Sequence, residues 1–150
     1  MKRLVYQVHV IWPGNPRYND STLTGLKNMM NISVGVEAFY LEHESDPEKA
    51  RYLFAYTITI KNGGEAAARL LSRYWKITGG DGHEQEVEGD GVVGQHPYLP
   101  PEEEFTYTSA AMLDTPVGMM QGHYKMVDDH GHQFEVVIPA FTLAMPKTLH

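Results

Sequence analysis

A chain of 150 residues, 42% hydrophobic and 21% charged, fits one domain and is long enough to bury a proper core. Its formal charge is −7 and it has no cysteine, which excludes a disulfide scaffold and a thiolate metal site and fits a reducing, cytoplasmic setting. No apolar stretch approaches the roughly 20 residues of a membrane span and no secretory leader is recognisable, so a soluble protein without a membrane partner is expected.

Charge is unevenly spread. Residues 1–28 carry a balance of +3, which leaves −10 for the rest, and between Ile77 and Phe105 there are eight acidic side chains and no Lys or Arg. A nucleic-acid surface depends on basic side chains to neutralise phosphate, so nucleic acid is not an expected partner.

In chain order, residues 1–30 read as an N-terminal extension, with Met29-Met30 an alternative start. Residues 5–12 could extend as a strand, but Pro13, Gly14 and Pro16 end it. From Asn31 the pattern turns period-two and a single domain is expected over residues 31–146, followed by a tail at 147–150. Ile32, Val34, Val36, Ala38 and Tyr40 share one face, and Tyr52, Phe54, Tyr56, Ile58 and Ile60 share one face of the next strand. Asn62-Gly63-Gly64 is a turn, after which Leu71, Arg73, Trp75 and Ile77 make a third inward face. The segment 83–88 is polar on both sides except for Val87, as an exposed edge strand is.

Residues 86–95, EVEGDGVVGQ, carry the spacing G-x-G-x-x-G at Gly89, Gly91 and Gly94. Such glycines allow positive φ and close backbone approach, but a dinucleotide fingerprint needs a helix N-terminus after them. Here Pro97, Pro100 and Pro101 come next, and Glu86, Glu88 and Asp90 would repel a phosphate unless a cation or distant basic residues intervened. The plain reading is that the glycines let one strand cross to another sheet; a ligand role for Gly89, Gly91 and Gly94 stays open beside it.

Phe105, Tyr107, Ser109, Ala111 and Leu113 alternate inward on the next strand, and Asp114-Thr115-Pro116 turns the chain. Met120, Gly122, Tyr124 and Met126, then Phe134, Val136 and Ile138, line the faces of a final hairpin. Pairing Met126 with Phe134 requires an odd-numbered loop, which Asp129-His130-Gly131 supplies with Gly131 left-handed.

Seven or so short strands and no helical segment predict an all-β, immunoglobulin-like or fibronectin type III-like sandwich. Trp75 matches its core tryptophan, and Tyr124 with Met126 matches the tyrosine-corner pair with methionine in place of the second cysteine. No nucleophile sits beside a base and no carboxylate pair stands out, so no catalytic residue is assigned and an enzyme is not expected. His130 and His132 beside Asp128 and Asp129 offer metal donors, but their spacing fits no recognised site, and neither a metal nor a cofactor is assigned.

Six blocks together resemble the bacterial ApaG family, also called CorD: RYLFAYTITI at 51–60, LLSRYWKIT at 70–78, EVEGDGVVGQ at 86–95, YTS at 107–109, TPVGMMQGHY at 115–124 and IPAFTL at 138–143. The likeness runs from about Ile32 to the C-terminus. It implies the same sandwich fold, no established enzymatic activity, and an association with cobalt tolerance and magnesium efflux. It also implies genes often set beside a diadenosine tetraphosphate hydrolase, and relatives in eukaryotes that serve as protein-interaction modules. The expectation is therefore a binding module acting on an unidentified protein partner in divalent-cation homeostasis. The alternative is a sensor binding pyrophosphate or a dinucleoside polyphosphate at Gly89, Gly91 and Gly94.

Overall fold

The computed structural model describes the backbone of residues 3–10 and all of residues 31–147. The remainder of the expected N-terminal extension and residues 148–150 lie outside the described residues. Alternation of apolar and polar side chains dictates strands, and the described residues form nine: β1 (Arg3–Val10), β2 (Ile32–Tyr40), β3 (Tyr52–Asn62), β4 (Ala68–Gly79), β5 (Glu84–Asp90), β6 (Tyr98–Leu99), β7 (Glu104–Leu113), β8 (Val117–Asp128) and β9 (Gln133–Ala144). One sheet has the order β1-β2-β3-β7 and the other β5-β4-β8-β9, with the two-residue β6 also on β4. All pairs are antiparallel.

The inward faces read from the sequence pack as one core between the sheets. Val34, Ile58, Leu70, Met120, Tyr124, Met126 and Leu143 are fully enclosed, and the Trp75 ring stands edge-on to Tyr56 and Phe141. β9 packs across β1 and β2. Among the described residues the last strands of the two orders, β5 and β7, are consequently free edges on the opposite flank.

Three expectations are corrected. In β4 a bulge between Leu70 and Ser72 changes the parity, so Leu70 and Ala68 point inward ahead of it and Leu71 does not. The inward face expected at Phe134, Val136 and Ile138 of β9 is buried, and an extra β9 residue between Ile138 and Phe141 then shifts the parity so that Phe141 and Leu143 continue it. The chain does not change sheet at the glycines. It remains on β4 through β6 and crosses only after Leu99, at the prolines, where Glu102 turns through φ +70°. Tyr124 does not form a tyrosine corner either: its hydroxyl meets that of Tyr107 on the facing sheet at 2.5 Å instead of a backbone group.

The β8–β9 hairpin closes as its parity requires. Met126 opposes Phe134, Gly131 has φ +84°, and the Gly131 amide bonds the Asp128 carbonyl. Asn62 is the other buried polar anchor: its Nδ2 donates to the carbonyls of Ala66 and Leu99 and its Oδ1 accepts from Gly64, tying the end of β3 to β6.

Candidate binding surface

β5 is the edge strand that the polar run implied. Backbone pairing alternates along it: Gly79 bonds the His83 carbonyl and Gly91 bonds the Leu71 carbonyl, so the odd-numbered residues face β4. Glu84, Glu86, Glu88 and Asp90 therefore aim their amides and carbonyls at the open edge. Their exposed side chains all stand on the outer face of the sheet, a row of like charge beside a backbone edge that no described residue pairs. On the neighbouring strand Lys76 pairs with Glu84 at 3.1 Å.

The glycines sit at the end of this edge, and each has a different job. Gly89 lies within β5 opposite Arg73, whose guanidinium covers it; a Cβ there would fall 2.8 Å from the Arg73 Nη1 and Nη2 atoms. Arg73 Nη1 donates to the carbonyls of Asp90 at 3.0 Å and Gly91 at 2.9 Å. Arginine thus closes the edge at Asp90 and leaves the backbone of Glu84, Glu86 and Glu88 open. Gly91 is left-handed, and a Cβ there would strike the Gln95 carbonyl oxygen. Val93 and Gly94, at φ +45° and +77°, form the tip of a tight turn closed by Val92 and Gln95 in both directions. Val92 is fully buried and plugs the core beneath.

Arg69 anchors the next stretch, bonding the His96 carbonyl at 2.9 Å and lying 5.0 Å over the Tyr98 ring, while the Tyr98 hydroxyl donates to Asp129. The two basic residues that serve the glycine segment come from β4, outside the acidic interval. Local reading could not place them.

On the outer face Tyr74 stacks on His123 at 5.0 Å, flanked by Glu88 and Glu135, over a cleft of about 370 Å³. Partial desolvation, then the negative field of Glu86 and Glu88, push the Tyr74 phenol above its ordinary range. A second cleft, of about 230 Å³, opens between the free edges β5 and β7, with Ile77, Gln85, Met112 and Leu113 in its walls.

A model of the ApaG domain, also designated DUF525, matches residues 42–128. The chain belongs to the ApaG family. It is 50% identical over 123 residues to Protein ApaG of Escherichia coli O1:K1 / APEC and to that of Shigella boydii serotype 18, covering 82% of this chain and 98% of each relative. A crystal structure of a Bordetella pertussis protein named ApaA superposes with a TM-score of 0.78 at 47% identity, covering 81% of this chain and 98% of that one. The ApaG fold and the all-β architecture stand together on these matches.

His130 and His132, weighed as metal donors, lie side by side at the β8–β9 hairpin tip, with ring centroids 6.2 Å apart. His132 Nδ1 lies 3.2 Å from Asp128, whose carboxylate also accepts from the amides of His130 and His132. Burial works against the charged form of Asp128, but those two amides and the imidazole outweigh it and hold the carboxyl below its ordinary range. The carboxylate is thus committed to the turn. His123 is elsewhere, stacked on Tyr74 and 3.7 Å from Glu135. Among the described residues no group of three or more His, Cys, Asp or Glu is arranged to hold a metal ion, and no helix is long and apolar enough to cross a membrane.

Proposed function

We propose that this ApaG domain is a non-enzymatic binding module that takes an extended, basic segment of a partner protein onto the open edge of β5, within the cobalt and magnesium homeostasis that the family resemblance implies. One observation carries the reading. Glu84, Glu86 and Glu88 present unpaired backbone groups and three carboxylates along one line, a template for strand addition by a chain of opposite charge. A second copy of the chain is a poor occupant, because self-pairing of β5 would set carboxylate beside carboxylate.

The test is an amide NMR titration of the full chain with an octapeptide alternating lysine and threonine. Shifts centred on Glu84, Glu86 and Glu88 are expected, with at least tenfold weaker binding to the triple variant Glu84→Lys, Glu86→Lys, Glu88→Lys. Full affinity in that variant would move the interface elsewhere.

A sensor of pyrophosphate or a dinucleoside polyphosphate at Gly89, Gly91 and Gly94 is the second reading. Arg73 favours it by bringing positive charge to an acidic segment. It ranks second because the amides of Gly91 and Val92 already bond the carbonyls of Leu71 and Gln95. Titration with pyrophosphate, with and without Mg²⁺, separates the two: saturable shifts confined to residues 89–94 would promote the sensor.

A further inference from the structure

The cleft between β5 and β7 lies where the side chains of a strand added to β5 would point. Residues directly opposed in a ladder share a face. An incoming residue paired with Glu84 or Glu86 therefore lies on the outer face among carboxylates, and the residue between them lies on the inner face beside Gln85. Gln85 pairs with Ile77 and lines the cleft with it. The far wall is β7 at Met112 and Leu113, of which Leu113 faces inward and Met112 the outer face of its sheet, and His83, Asp114 and Ala50 complete the lining.

The walls are apolar where they are deepest. Ile77 and Leu113 are buried, whereas Met112 is 58% exposed, the largest exposure among the large hydrophobic side chains of the described residues. At ~30 Å³ per water, a space of about 230 Å³ holds several waters or one aliphatic side chain. It falls short of the ~300 Å³ at which pockets for organic ligands begin.

We propose that this cleft is the specificity pocket of the β5 edge. The partner segment alternates basic and aliphatic residues: its cations lie along Glu84, Glu86 and Glu88, and one Leu-sized side chain on the opposite face enters between Gln85 and Leu113. The inference rests on the strand-addition reading. It adds a register, because Arg73 occupies the Asp90 carbonyl and confines the incoming strand to the Glu84 end, where the cleft lies.

Two heptapeptides test it on the full chain by calorimetry, Lys-Thr-Lys-Leu-Lys-Thr-Lys and the same sequence with glycine at the centre. The leucine peptide is expected to bind roughly tenfold or more tightly, as burial of one such side chain requires. In Gln85→Trp, which fills the mouth, the two peptides should bind alike. The Leu113 methyl resonances supply a readout without substitution and should move with the leucine peptide alone. Equal affinities on the unsubstituted chain would overturn the pocket while leaving the edge reading standing. Binding of neither peptide would overturn the edge reading, and the pocket with it.

Discussion

The Arg73 guanidinium lies directly over the Cα of Gly89 and bonds the next two carbonyls of the chain, those of Asp90 and Gly91. The glycine is therefore a seat for an arginine, and the three glycines should respond differently to substitution. Gly89→Ala displaces the end of a flexible side chain and forfeits charged hydrogen bonds, a loss of about 1–2 kcal/mol. Gly91→Val drives a branched side chain into the Gln95 carbonyl at positive φ and should cost more than ~3 kcal/mol. Gly94→Ala meets nothing within 4 Å and should cost only the left-handed penalty, about 1 kcal/mol. Urea unfolding of the three variants should rank them with Gly91→Val far the worst.

Asp128 predicts an acid-sensitive hairpin. Its folded-state pKa lies below the ordinary 3.8, so the carboxylate contributes stability that is complete well above that value and disappears as pH falls through the lower, folded-state pKa. Unfolding curves of the full chain and Asp128→Ala should be furthest apart near neutrality and converge in acid. A constant gap would assign the loss to packing.

The buried tyrosines predict the opposite limit. Burial is the largest cause that pushes the phenols of Tyr56, Tyr107 and Tyr124 above 10.0. A raised folded-state pKa contributes stability in full below the ordinary value, lost as pH rises through the folded one. In an ultraviolet titration, a group of tyrosines should ionise only together with unfolding, and Tyr124→Phe, which strands the Tyr107 hydroxyl, should cost about 1–2 kcal/mol.

Asn62→Ala removes three hydrogen bonds from a fully buried position and leaves the Leu99 and Ala66 carbonyls and the Gly64 amide short of a partner. The expected loss is roughly 2–3 kcal/mol, read as a lower urea midpoint with an unchanged slope. Amide exchange should accelerate first around β6, which that side chain ties down.

What the amino-acid order determined by itself is local and periodic. The alternation at Ile32 to Tyr40, the odd loop at Asp129-His130-Gly131 and the polarity of residues 83–88 each come from backbone geometry acting over a few residues. The family blocks pointed to the same sandwich. Tertiary structure alone decided the rest: the bulge that turned Leu71 away from the core, Arg73 on a glycine sixteen residues later, the Tyr107–Tyr124 hydroxyl pair, and a cleft built from β5 and β7. The reason is physical. Period-two alternation fixes which face of a strand is buried, but not which strand lies across from it; that choice belongs to the packing of two whole sheets, where one extra residue in a strand reverses every side chain beyond it.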